Sequence, residues 1–289
     1  MLIRRTNLLA PVAAADDAWR HGADAVTLVG SAPAAERQRA ILAAGRGGAE
    51  VFVEAAGDGD IESAVGAGLA GFVLRAESAD EVKRIDALVT RLERERGLSA
   101  GKLSFIVRVE TARAVWDIRS ILTASPRISQ AALVETSLAA DLDITPDPEI
   151  DSFEYARGRL AVEATAAKVG AVGMAYPMSV LEPADAPEAE IQRMATKARN
   201  SGMKGVLCRH ASWIAPVNAA FTPTPELVHY NRRVREAFAK GVAEGTAAVP
   251  LDGRMIDVPV DEWAIVVIAT AEACAQRDAE KRAALEKSR

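Results

Sequence analysis

The chain is poor in cysteine: Cys208 and Cys274 are its only two. That excludes a disulfide framework and a cysteine-built zinc site, and sets a reducing, cytoplasmic setting as the expectation. Positive charge is not in excess either. Thirty-five Lys and Arg against forty Asp and Glu leave a net charge of −5, so no overall field draws the chain to nucleic acid or an anionic membrane. Only a local basic pocket for a phosphorylated ligand remains open. No window approaches the ~20 apolar residues of a membrane span. Arg4 and Arg5 before a short apolar run have the look of a leader, but Pro11, Asp16 and Asp17 break it, and a first β-strand is the better reading. Gly45-Arg46-Gly47-Gly48 and Gly57-Asp58-Gly59 lack the strand-then-helix spacing of a dinucleotide fingerprint, and no Gly-Lys-Ser/Thr occurs. These glycines read as turns.

What is present is core material. Of 289 residues, 49% are hydrophobic and 26% charged, which excludes disorder and collagen-like repetition. Short runs rich in Val, Ile and Leu recur at Asn7 to Ala10, Ala25 to Val29, Glu50 to Glu54, Gly71 to Leu74, Leu103 to Val109, Ala131 to Glu135, Ala171 to Met174 and Gly205 to Cys208. Helical stretches separate them. The clearest is Ala79 to Arg96, where Val82, Ile85, Leu88 and Leu92 recur at helical spacing opposite a charged face. Eight strands each followed by a helix predict an α/β fold, a closed (β/α)₈ TIM barrel over residues 1–220. Residues 221–289 form a C-terminal helix-hairpin-helix extension: a helix from Glu226 to about Gly245, a hairpin turning at Asp252-Gly253, and a final helix from Asp261 into a charged tail. Such an extension either closes over the mouth or docks on a neighbouring subunit.

In a barrel, polar residues just after each strand build the site. Glu110, directly after Phe105-Ile106-Val107-Arg108-Val109, is the best candidate, because a carboxylate at an apolar rim needs a cation. Glu135 on the next strand is the candidate second ligand of a hard ion such as Mg²⁺. The bland alternative for Glu110 is an ion pair with Arg108 or Arg75. Strand three offers Glu54. Arg75 and Arg209 carry forked donors suited to a carboxylate or phosphate, Thr111 lies beside Glu110, and His210 stands at the end of strand eight. A lone histidine is more often scaffold than general base. Asp257, in Met255-Ile256-Asp257-Val258-Pro259, is an acid in an apolar hairpin whose bland reading is a turn cap.

Several stretches carry a family resemblance: Arg4-Arg5-Thr6-Asn7-Leu8-Leu9-Ala10-Pro11, Leu74-Arg75-Ala76-Glu77-Ser78, Val109-Glu110-Thr111-Ala112 and Ser137-Leu138-Ala139-Ala140-Asp141-Leu142. The strongest run from Gly202 through His210 to Pro223 and from Leu251 to Pro259. The chain resembles the citrate lyase β-subunit-like branch of the HpcH/HpaI aldolase superfamily nearly end to end. The resemblance implies a (β/α)₈ barrel that makes or breaks a C–C bond beside a CoA thioester or oxo-acid, usually with Mg²⁺. It further implies Asp257 as a general acid/base acting in trans, and with it a homo-oligomer, a trimer or a multiple. Arg75 and His210 are its other catalytic candidates, with Arg75, Thr111 and Arg209 for substrate.

The sequence also departs from the family pattern. An acidic run after strand two is replaced by Val29-Gly30-Ser31-Ala32, a carboxylate-gripping arginine on strand three by Phe52, and a second metal-ligand aspartate by Ser137. In a strand, residues two apart point to the same side, so Glu135 emerges on the face of Ser137 and its longer arm can reach an ion held by Glu110. Two function classes follow. One is a Mg²⁺-assisted C–C lyase, or a thioesterase, acting on an acyl-CoA or oxo-acid. The other is a barrel that has kept the architecture without the chemistry and serves as an acyl-CoA-binding or assembly protein.

Overall fold

Residues 3–287 are described by the computed structural model. Eight strands form one parallel sheet: β1 (Thr6–Pro11), β2 (Ala25–Val29), β3 (Glu50–Ala55), β4 (Leu69–Arg75), β5 (Ser104–Val109), β6 (Ile128–Leu133), β7 (Gly170–Val172) and β8 (Val206–Cys208). Their order is β7-β6-β5-β4-β3-β2-β1-β8. Lys204 N donates to Ala171 O at 2.7 Å and Gly173 N to Gly205 O at 2.9 Å, so backbone bonds also join the β7 and β8 segments and the sheet nearly closes into a barrel. The (β/α)₈ expectation holds.

Period-two alternation sorts each strand between two cores. One face, including Val26, Val51, Phe72, Phe105, Val107 and Ala131, joins the large cluster beneath the surrounding helices. The other points to the barrel axis. Helix Ala79–Glu95 shows how an outer helix is fixed: Ser78 Oγ caps it by accepting from Glu81 N at 3.3 Å, and Val82, Ile85, Val89 and Leu92 are buried. One residue breaks its pattern. Glu93 is fully buried and bonded to Arg127, at 2.9 and 2.7 Å from its two terminal nitrogens.

The chain divides principally into two compact units, Arg4–Phe221 and Thr222–Ala283. The second contains helix Pro225–Ala243, the hairpin β9 (Val249–Leu251) and β10 (Arg254–Ile256), and most of the long helix Val258–Lys287. Val234, Ile256 and Ala264 form its core, with Tyr230 and Phe238 packed on them. Two expected boundaries move. Strand β6 stops at Leu133 and Glu135 begins a helix. The last helix starts at Val258, three residues early, because Pro259 has the backbone angle a first turn requires and no N–H is missed there. Of the expected charged tail, Ser288 and Arg289 lie outside the described residues. Among the described residues no helix is long and apolar enough to cross a membrane.

Candidate functional site

The axial face of the barrel begins with a small apolar belt, Ala25, Phe52, Val73 and Ile106. Two residues further along the same strands, the same face must carry Thr27, Glu54, Arg75 and Arg108. Below the belt the guanidinium of Arg4 lies 4.6 Å from the Phe52 ring centre, held by Glu50 at 2.8 Å and Gln130 at 2.9 Å. Phe52 therefore fills the interior, and the layer above it is ionic.

In that layer Arg108 touches two carboxylates. Its Nη1 contacts Glu54 Oε1, and its Nε lies 2.6 Å from Glu110 Oε1. Arg75 Nη2 donates to Glu77 Oε1 at 2.6 Å, and its Nε lies 3.6 Å from Glu110 Oε2. The ion-pair reading of Glu110 is thus realised with both arginines named for it. Arg108 faces it as a charge rather than as an aligned donor, so the buried Glu110 Oε1 has no hydrogen-bond partner. These groups line a cavity of about 510 Å³ at the ends of β3, β4 and β5. Five carboxylates and three guanidiniums in its wall give a formal balance of −2. On the barrel axis, a second cavity bordered by Arg108, Glu135 and Trp213 holds only about 60 Å³.

The other sequence candidates of the barrel unit do not line the larger cavity. Glu135 is 3% exposed at the first turn of helix Glu135–Asp141. It accepts from Arg157 Nη1 at 2.7 Å and Ser179 Oγ at 2.5 Å. Burial raises its pKa, against the pull of the Arg157 charge and of both hydrogen bonds. The strand reasoning that placed it on the face of Ser137 is corrected: both residues are helical, where neighbours two apart diverge. Arg209 Nε pairs with Glu182 Oε2 at 2.7 Å, and His210 Nε2 lies 3.0 Å from the Glu182 carbonyl. Both tie β8 to the loop before helix Glu188–Asn200. Thr111 Oγ1 caps a helix by accepting from Ala114 N at 3.1 Å. Asp257 belongs to the C-terminal unit, where Oδ1 accepts from Val260 N at 3.3 Å, and it is exposed. Glu54 and Arg108 are the residues whose importance the sequence understated; counting by two from Phe52 and Ile106 would have found them.

Magnesium takes hard oxygen donors, often one or two carboxylates with the rest from water or substrate. Glu110 fits that in kind: it is 8% exposed, at the cavity wall, with one oxygen lacking a hydrogen bond. Glu135 has both oxygens engaged. Among the described residues no group of three or more His, Cys, Asp or Glu is placed to hold an ion by itself. An ion held here would take its remaining ligands from water or substrate.

A family model described as HpcH/HpaI aldolase/citrate lyase matches residues 50–211. The chain is 26% identical over 214 residues to citrate lyase subunit beta of Haemophilus influenzae, covering 74% of this chain and 72% of that one. It is 27% identical over 206 residues to L-malyl-CoA/beta-methylmalyl-CoA lyase of Rhodobacter capsulatus, spanning 67% of this chain and 64% of that enzyme, under two thirds of its length. Among solved structures, a citrate lyase from Burkholderia xenovorans LB400 superposes with a TM-score of 0.76 at 16% identity, over 97% of each chain. CitE from Mycobacterium tuberculosis, in complex with magnesium, acetoacetate and coenzyme A, gives 0.65 at 24% identity, over 93% of this chain and 98% of that one. These likenesses establish the barrel.

Proposed function

We propose, from the premise that this chain belongs to the HpcH/HpaI aldolase/citrate lyase family, that it is a carbon–carbon lyase acting on an acyl-CoA thioester or oxo-acid. The reaction centre is the cavity over β3 to β5. The observation that carries this reading is Glu110: a nearly buried carboxylate at the end of β5, one oxygen without a hydrogen bond, on the wall of a cavity of small-molecule size. Charge supports it. Both substrate classes are anionic, and a wall with a balance of −2 repels them unless a divalent cation offsets it.

Glu110 is the protein ligand for magnesium, the ion present in the M. tuberculosis CitE complexes. When bound, magnesium supplies Lewis-acid polarisation of a carbonyl oxygen. Arg75 is 59% exposed and, among the described residues, engaged with Glu77 and Glu110, so a substrate carboxylate or phosphate competes with these for its fork. Asp257 is placed as the acid/base group supplied by a neighbouring copy in a homo-oligomer, a trimer or a multiple; its exposure, with one cap bond, supports this.

The test is a screen of malyl-, citramalyl- and related CoA thioesters with dialysed and magnesium-loaded protein. Cleavage by the loaded protein, lost in Glu110→Gln, is expected. No cleavage above the metal-free blank ends the lyase reading. The pairing of Glu110 with two guanidiniums favours a second reading, acyl-CoA binding without turnover. Thermal stabilisation by the same thioesters, left uncleaved, would establish it.

A further inference from the structure

Arg108 occupies an unusual place for an arginine. Its side chain is 22% exposed on the axial face of β5, it borders both cavities, and one guanidinium meets Glu54 and Glu110 together. Glu54 projects from β3 at the same layer, two positions above Phe52. A positive group held between two carboxylates stands where a cation would. Arg75 differs: it reaches Glu110 only at 3.6 Å and is largely exposed.

We propose that Glu54, rather than Glu135, is the second carboxylate of the divalent-ion site, and that Arg108 is the built-in counter-ion against which the metal competes. This rests on the reading of Glu110 as an ion-binding carboxylate. In the resting protein the guanidinium is hydrogen-bonded to Glu54 and offsets the charge of Glu110 without an aligned hydrogen bond, so an ion must first displace it from a partly buried pair, and breaking such a pair is costly. Affinity for the metal alone is accordingly low. Removing the guanidinium while keeping the volume leaves two carboxylates facing the cavity with only the more exposed Arg75, 3.6 Å from Glu110, as nearby counter-charge, which favours a divalent ion. Glu135 contributes nothing to this centre, since Arg157 and Ser179 hold it.

The experiment titrates Mn²⁺ into the full chain and counts free ion by electron paramagnetic resonance. Arg108→Met is expected to bind one Mn²⁺ at least tenfold more tightly than wild type. Arg108→Lys, which keeps the charge, is expected to stay within threefold of wild type. In the Arg108→Met background Glu54→Gln removes the gain and Glu135→Gln leaves it. Should Arg108→Met not fold, single substitutions decide: Glu54→Gln weakens Mn²⁺ binding at least tenfold in the wild-type chain, and Glu135→Gln does not. Equal affinity of Arg108→Met and wild type, or loss through Glu135 rather than Glu54, overturns the proposal. Glu110→Gln separates the two levels. If it leaves Mn²⁺ binding intact, the parent reading of Glu110 fails; if it abolishes binding while Glu54→Gln has no effect, only the competition between Arg108 and the metal is refuted.

Discussion

The Glu135–Arg157 pair supports an asymmetric prediction. Glu135 is buried and bonded to Arg157 and Ser179, while Arg157 also contacts Asp151 and lies 5.9 Å from the Tyr176 ring. Arg157→Met leaves a buried carboxylate with one hydroxyl partner, and stranding a buried charge costs about 3–5 kcal/mol. Glu135→Gln keeps the shape and an amide able to meet both partners, leaves Arg157 its Asp151, and removes a desolvated charge. Its cost is about 1 kcal/mol, the net value of a typical hydrogen bond. With a urea slope of about 2–3 kcal/mol/M the two variants should differ by about 1 M in unfolding midpoint. The pH dependence has a definite sign. Burial raises the Glu135 pKa above its ordinary value of 4.5, so the folded state holds that proton more tightly. The stability this contributes is full below the unfolded value and is lost as pH rises through the folded one. Glutamine has no such dependence, so the cost of Glu135→Gln must shrink as pH is raised. Equilibrium urea unfolding of both variants at about pH 4 and about pH 7.5 measures each term. Arg157→Met costing no more than Glu135→Gln, or a Glu135→Gln cost that grows with pH, would refute the assignment.

Two further predictions concern the scaffold. Burial alone would raise the pKa of Glu93, but hydrogen bonds from Arg127, Leu103 N and Gly101 N bring it below its ordinary value, so its contribution is present above the unfolded value and lost as pH falls. Arg127→Met should therefore destabilise by about 3–5 kcal/mol at neutral pH, with the loss narrowing in acid, as measured by urea unfolding. At Gly71 a Cβ would sit 1.9 Å from Ser104 O on the neighbouring strand, and a backbone atom cannot yield as a side chain does. Gly71→Ala should cost about 4 kcal/mol or more, and a soluble variant melting within a few degrees of wild type would contradict the β4–β5 packing.

The barrel was legible because its signal is redundant. Eight apolar runs, each with an alternating face and a following helix, survive small boundary errors. The site is a matter of single residues at strand ends, and there local pattern fails. Leu133-Val134-Glu135 reads as continuing strand, yet the strand ends at Leu133 and the side-chain directions after it follow helical spacing. Glu93 lies at helical spacing from Val82 and Val89, on the buried face, yet its charge reads as a residue for water, because its partner Arg127 is 34 positions away. Asp257 was visible as an acid in an unusual place, and both its cap bond and its exposure are compatible with the sequence reading. The carboxylate Glu110 and its two arginines were all named from sequence. Glu54 was named only as an offer, and its link to Arg108 required the two strands to be set side by side.

The two cavities that Arg108 borders differ in how the charges of their walls are paired. The axial one, about 60 Å³, is bordered by Arg209, Glu182, Ser179 and Trp213: Arg209 pairs with Glu182, Ser179 donates to the Glu135 carboxylate, and Trp213 donates to the Pro183 carbonyl. They serve as a plug: each is a donor or acceptor already satisfied, and opening the space would expose paired charges. The wider cavity is walled by the segments following β3, β4 and β5, where the charges are not balanced. An unbalanced wall favours a ligand of opposite sign. For an anionic thioester or oxo-acid that opposite charge comes through a cation, and so substrate and ion are expected to bind more tightly together than either does alone. On the proposed reading, selection among acyl groups falls to the segments after β3, β4 and β5 that wall this cavity.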